Sequence, residues 1–132
     1  MKADFDLANL ASASEKEATV EILHPKTNES LGIKITVASP DSDKHRKLLQ
    51  RAKNTNMQIM QRKGNKGITA EAVDESAMNV VVGSVLRWEG VTWGGTELEC
   101  TEENVRQVFE SLPWIKEQVD DFLNDRANFF SQ

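Results

Sequence analysis

Few side chains in this chain are of a type and spacing that would support covalent or acid–base chemistry. The chain has 132 residues and a single cysteine, Cys100, so it can form neither an internal disulfide nor a thiolate metal cluster. The nearby residues Glu99, Glu102 and Glu103 are acidic, and negative charge around a thiol raises its pKa and weakens it as a nucleophile. Cys100 is therefore not expected to be catalytic.

The two histidines do not form a recognisable site either. His24 precedes a turn proline and His45 lies in a basic run, and neither has a carboxylate at the spacing of a metal-binding or general-base motif. The sequence GNKG at 64–67 lacks the spacing and the final Ser or Thr of a phosphate-binding loop, and it is typical of a helix end. We expect no catalytic residue, no cofactor and no metal, and hence a protein that is not an enzyme.

Basic side chains give the strongest charge pattern. Residues 39–67 contain eight basic and two acidic residues, whereas residues 68–132 contain four basic and thirteen acidic residues. Lys44, Lys47 and Arg51 follow one another at three and four residues, which places them on one face of a helix. This face can bind an acidic protein partner, and opposite charges on one chain can also join copies head to tail into rings or open helices.

A nucleic-acid-binding module that acts through the basic helix 44–66 is the alternative function, since the same side chains can bind phosphates. No Phe, Tyr or Trp lies between Val37 and Arg87, so a base-stacking platform is absent from this region. The net charge of −5 also opposes long-range attraction to a polyanion. The sequence favours a protein partner over nucleic acid.

The amino-terminal elements follow from periodicity and turn residues. Residues 1–17 contain few large apolar side chains and are predicted to form a flexible arm. Alternation of apolar and polar residues predicts a β-hairpin over 18–38 with one apolar face. Ser39 and Pro40 suit the N-cap and the first position of a basic helix over 40–63, whose inward stripe is predicted to include the residues His45, Leu48, Leu49, Ala52, Asn56, Ile59 and Met60.

The carboxyl-terminal half is predicted to be mainly helical. A helix that Thr69 can cap is expected over 69–87, although its residues 78–87 also suit a strand. A bend rich in Trp and Gly follows at 88–100, and helices follow over 102–128, with Thr101 as the cap of the first. Trp88 continues the apolar stripe of the preceding helix and is expected in the core, whereas Trp93 lies in the loop, where exposure would make it an interaction anchor.

Together these elements predict an α+β fold, in which an N-terminal β-hairpin packs on a mainly α-helical domain of three to four helices. Residues 18–132 are expected to form one domain. No apolar run approaches the roughly 18 residues of a membrane-spanning helix, and no export signal is recognisable at the amino terminus. We therefore expect a cytoplasmic protein without membrane contact.

Four segments, read in their order along the chain, resemble one protein family. They are an early FDL, the hairpin TVEILHPKTNESLGIKITVASPDS, the bend LRWEGVTWGGTELECTEENV and the close LPWIKEQVDDFLNDRANFF. With these segments the sequence resembles the tail assembly chaperones of long-tailed, siphovirus-type bacteriophages or prophages. None of the segments is a catalytic signature.

The resemblance implies a non-enzymatic helper in the host bacterial cytoplasm that is not present in the mature virion. It would bind the tape measure protein and keep it soluble until tail tube subunits polymerise around it. The further partners implied are its own copies, a longer form made by ribosomal frameshifting, and the tail tube protein. Phe129 and Phe130 could be encoded by a slippery run. The candidate partner-binding residues are Lys44, Lys47, Arg51, Trp93, Phe129 and Phe130.

Overall fold

The structure is a computed structural model that describes residues 7–9 and 16–130. Its elements are β1 (Glu17–Leu23), β2 (Ser30–Ala38), α1 (Asp43–Lys63), α2 (Ala70–Ser84), β3 (Val85–Glu89), β4 (Thr92–Trp93), β5 (Thr96–Glu97), α3 (Glu102–Ser111) and α4 (Pro113–Asn124), with 3₁₀ turns at Gly64–Gly67 and Arg126–Phe129. Residues 7–9 form a short helical turn. Most of the predicted arm lies outside the described residues, and Glu17, its last residue, already belongs to β1.

The predicted hairpin is confirmed as β1 and β2, but it belongs to a larger sheet. The antiparallel order is β1-β2-β3, and β4 and β5 form a separate two-stranded ribbon. Helix α4 and the last 3₁₀ turn pack against β1. The shared core contains Val20, Ile22 and Ile35 from the sheet together with Ile115 and Val119 from α4. The chain therefore has the predicted α+β fold.

Residues 78–87, whose sequence suits both a helix and a strand, contain the end of a helix and most of a strand. The predicted helix 69–87 therefore ends early. Helix α2 runs only to Ser84, and β3 begins at Val85. Backbone pairing explains the change, because the edge of β2 needs a hydrogen-bonding partner and β3 supplies it, with Arg87 opposite Thr36. Trp88 packs against the core as predicted, but it does so from this strand and not from a helical stripe.

Helix α1 begins later than the predicted residue 40. Its N-cap is Ser42, whose hydroxyl accepts a hydrogen bond from the His45 N–H at 3.2 Å. The Ser39 N–H donates to the Lys16 carbonyl at 3.1 Å, and the Ser39 hydroxyl accepts from the Asp41 N–H at 3.2 Å, in the turn that precedes the helix. Pro40 consequently lies in the turn between β2 and α1.

The apolar stripe predicted for α1 is only partly covered. Its residues on the α2 side, such as Leu48 and Ile59, are half-buried, and His45 is buried. Leu49 and Met60 were predicted to face inward and are instead exposed. The reason is that α1 packs mainly on one helix, α2, which covers a single side of the stripe.

The carboxyl-terminal helices agree with the sequence prediction. The Thr101 hydroxyl caps α3 by accepting from the Asn104 N–H at 3.1 Å, and Pro113 begins α4. Among the described residues, no helix is both long enough and apolar enough to span a membrane.

Candidate partner-binding cleft

A cleft of about 580 Å³ lies between α1, α2 and the start of α3, and we call it the α1–α2 cleft. Its apolar lining includes Leu48 and Ala52 of α1 and Val82 of α2. Its polar lining includes Thr55 and Asn79. The surface therefore combines a narrow apolar strip with hydrogen-bonding groups.

The three basic residues singled out in the sequence lie together beside this cleft. Lys44, Lys47 and Arg51 line a smaller hollow that shares Leu48, Arg51, Gly83 and Glu102 with the α1–α2 cleft. All three are exposed. The Lys47 ammonium lies 3.1 Å from the Asp43 carboxylate, one helical turn away. The predicted basic face therefore forms one wall of a continuous groove.

A glycine allows α1 and α2 to approach closely at the cleft. A Cβ atom added to Gly83 would lie only 2.4 Å from Cδ2 of Leu48, so a larger residue would disturb this contact. Farther along the pair, the Ser76 hydroxyl donates to Asn56 Oδ1 at 3.1 Å. These two contacts set the spacing of the helices that form the cleft walls.

His45 and Ser84 make a buried polar contact where α1 begins and α2 ends. The Ser84 hydroxyl donates to the Val80 carbonyl at 2.8 Å, and His45 Nδ1 lies 3.0 Å from the same oxygen. Because that hydroxyl hydrogen is already used, Nδ1 is assigned the proton that it donates to Ser84. Burial lowers the pKa of His45, while the nearby Asp41 carboxylate acts in the opposite direction. His45 is thus a structural histidine, as the sequence indicated, and joins the two helices.

The wall opposite α1 is acidic at its rim. Glu102 and Glu103 lie in the first turn of α3 and line the cleft. Arg106 Nη1 contacts Glu75 Oε1 at 3.1 Å and the guanidinium also donates to Asn79, so Arg106 connects α3 to α2. The cleft consequently has a basic side along α1 and an acidic side at α3.

Trp93 is not part of this cleft. It lies on the β4–β5 ribbon, where Gly94 and Gly95 have φ values of 61° and 83° and form the tight turn. The side chain is 42% exposed, as its loop position suggested. Its role as a partner anchor stays a prediction.

The two carboxyl-terminal phenylalanines differ in their environments. Phe129 is only 1% exposed and its ring meets Phe122 edge to face, with ring centroids 5.7 Å apart. It belongs to the core, so its proposed role in partner binding is corrected: the folded chain does not present it. Phe130 is 40% exposed and keeps its place among the candidate contact residues.

The sequence did not identify the cleft residues contributed by α2 and α3, such as Asn79, Glu102 and Arg106. Helical periodicity groups residues within one helix, whereas these side chains meet only through tertiary packing. Gly83 was the feature of the sequence that could have indicated this packing, because a glycine inside a helix often marks the close approach of another element.

Two findings concern the potential metal ligands and the single cysteine among the described residues. Among them, no group of three or more His, Cys, Asp or Glu side chains is placed to hold a metal ion. The pKa of Cys100 is raised, the direction predicted, but the cause is burial and not the neighbouring acids. No protein-family model matches the chain, and no curated protein or solved structure is significantly similar to it.

Proposed function

We propose that this protein is a non-enzymatic phage tail assembly chaperone that binds a helical segment of the tape measure protein in the α1–α2 cleft. Binding would keep that segment soluble in the host bacterial cytoplasm until tail tube subunits polymerise around it. The observation that carries the proposal is the cleft itself, with an apolar strip beside the basic wall of Lys44, Lys47 and Arg51. The sequence resemblance supplies the identity of the partner.

The dimensions of the cleft suit a helix. Together with the adjoining hollow, its α1 wall extends from Lys44 to Thr55, which corresponds to about 16 Å of helix at about 1.5 Å per residue. An amphipathic helix of about three turns can place its apolar stripe against the half-buried Leu48 and Ala52, in the manner of other helix-in-groove complexes. Such contacts cover apolar surface that would otherwise promote aggregation of the partner.

The charges on the two walls of the groove would determine the orientation in which the partner helix binds. Acidic side chains of the partner would face Lys44, Lys47 and Arg51, and basic ones would face Glu102 and Glu103. The same division between basic and acidic surfaces supports association of copies along the tape measure protein. Because these charges are exposed, added salt should weaken both contacts.

The test is co-expression with a tape measure fragment followed by affinity purification. The variant K44E/K47E/R51E should recover at least tenfold less fragment, since it reverses one wall of the groove. The control K26E/K53E/K66E makes the same change in net charge at three exposed positions that do not line the cleft. Equal recovery by the two variants, or no co-purification by the wild-type chain, would refute the proposal.

The nucleic-acid alternative rests on the same three basic residues. It predicts that the wild-type chain binds duplex DNA at moderate salt, that K44E/K47E/R51E abolishes this binding, and that no tape measure fragment co-purifies. The affinity of the chain for DNA should fall steeply as the salt concentration rises, because binding releases counterions from the phosphates.

A further inference from the structure

The outer edge of β1 presents unpaired backbone groups. Successive residues of a strand point their backbone N–H and C=O alternately toward one neighbouring strand and then the other. The His24 N–H donates to the Glu29 carbonyl at 2.8 Å and the Lys16 carbonyl accepts from Ser39 at 3.1 Å. Even-numbered residues therefore direct their backbone groups toward β2, and odd-numbered residues direct theirs outward.

Gln118 of α4 confirms this direction at one end of the strand. Its Oε1 atom accepts from the Leu23 N–H at 2.9 Å, and its Nε2 donates to the Leu23 carbonyl at 2.8 Å. The side-chain amide thus occupies the place of a neighbouring strand at Leu23 alone. Among residues 16–130, none hydrogen-bonds to the outward backbone groups of Glu17, Thr19 or Glu21, and all three residues are exposed.

The polar face of the sheet indicates which side chains an added strand would carry. One row across the sheet contains Glu21 on β1, Lys34 on β2 and Glu89 on β3, so the charge alternates from strand to strand. Glu17 lies on the same face, where the Arg87 guanidinium contacts it. A fourth strand that continues the alternation would place basic side chains opposite the two glutamates of β1.

A second copy of β1 does not meet this requirement. In the antiparallel register that overlaps Glu17, Thr19 and Glu21 fully, each Glu17 would face Glu21 of the other copy. Two like-charge pairs directly opposite one another are destabilising. Charged residues on an edge strand commonly prevent this kind of self-pairing.

We propose that the outer edge of β1 binds an extended segment of a partner protein with basic residues four positions apart. The segment adds to the sheet as a fourth, antiparallel strand. Its backbone pairs with Glu17, Thr19 and Glu21, and its basic side chains face the two carboxylates. Main-chain hydrogen bonds supply affinity in such complexes, and alternate side chains supply specificity. This site is separate from the α1–α2 cleft and does not depend on the function proposed for it.

A pair of short peptides tests the proposal on the intact chain. The probe contains KVTVK between glycines, and the matched control contains EVTVE. We expect the probe to bind at least about tenfold more tightly, because two attractive cross-strand pairs replace two repulsive ones. On binding, the amides of Glu17, Thr19 and Glu21 should become protected from hydrogen exchange, whereas ladder amides such as Val20 are protected in the free chain.

Two further controls separate strand addition from general charge attraction. N-methylation of the probe at its bonding amides should abolish binding, and methylation at its other amides should not. Glu21→Gln should weaken probe binding, whereas Glu29→Gln, in the loop after β1, should not. Equal affinity for KVTVK and EVTVE, protection outside β1, or full protection of the Glu17, Thr19 and Glu21 amides in the free chain would overturn the proposal. K47E/R51E, which retains the Lys44 side chain near Glu17, should leave probe binding unchanged, which distinguishes this site from the cleft.

Discussion

His45 Nδ1 lies 3.0 Å from the Ser84 hydroxyl, and this buried contact joins the first turn of α1 to the last residue of α2. It fixes the end of the helix pair that borders the proposed cleft. Burial favours the neutral imidazole, so the pKa of His45 is lowered from its ordinary value of 6.5. The stability of the folded chain is therefore linked to pH.

The free energy of unfolding should decrease as pH falls below about 6.5, the ordinary histidine value. The unfolded chain takes up a proton on His45 there while the folded chain does not, so acid favours unfolding until the lowered folded pKa is passed. The slope should approach at most about 1.4 kcal/mol per pH unit. Urea unfolding between pH 7.5 and 5.5 measures it. His45→Gln should flatten the slope, and a slope that this variant leaves unchanged would contradict the assignment to His45.

Gly83→Ala should reveal the close packing of α1 against α2. The added methyl group meets Leu48 Cδ2 at 2.4 Å, and relieving such overlap typically costs about 1–3 kcal/mol. Alanine also favours a helix over glycine by up to about 1 kcal/mol, so the two effects oppose each other. We therefore expect Gly83→Ala to be less favourable in the wild-type background than in a Leu48→Ala background, where the overlap is removed. A double-mutant cycle by urea unfolding would contradict the contact if the two changes were additive.

Gly90 and Gly94 form a matched pair of glycines with positive φ, at 77° and 61°. A Cβ on Gly90 would lie 2.0 Å from the Gly32 carbonyl oxygen, whereas nothing lies within 4 Å of one on Gly94. Gly94→Ala should therefore cost only the backbone strain, about 1–2 kcal/mol. Gly90→Ala should cost about 3 kcal/mol or more, because backbone atoms must also move. Similar thermal unfolding temperatures for the two variants would contradict this prediction.

Local sequence patterns were sufficient to predict the elements whose backbone hydrogen bonds form within the element itself. The hairpin and the caps at Thr69 and Thr101 follow from residue type and spacing, and the structure has each of them. β3 could not be assigned in this way, because Val85 and its neighbours suit a helix and a strand alike. The unpaired edge of β2 decides between them, and that edge exists only after the hairpin has formed.

The candidate site, too, could be predicted only in part from local sequence patterns. The side-by-side placement of Lys44, Lys47 and Arg51 required only the period of one helix. The opposite wall depends on how α3 packs against α2, and no pattern within either helix indicates that packing. The partner-binding role predicted for Phe129 is wrong for a related reason, since its burial against Phe122 depends on the chain turning back after α4.

Substitution of Trp88 should lower the stability of the chain, whereas substitution of Trp93 should affect partner binding. Trp88 Nε1 donates to the Leu98 carbonyl at 2.8 Å and its ring packs on the core, so Trp88→Ala should cost about 3 kcal/mol. Trp93 is exposed on the β4–β5 ribbon, and Trp93→Ala should change the free energy of unfolding by no more than about 0.5 kcal/mol. If Trp93 is a partner anchor, its removal should nevertheless reduce recovery of the tape measure fragment severalfold. Thermal unfolding and co-purification, measured on both variants, check the two parts separately. Wild-type recovery by Trp93→Ala would exclude this residue from the interface while leaving the cleft proposal to its own test.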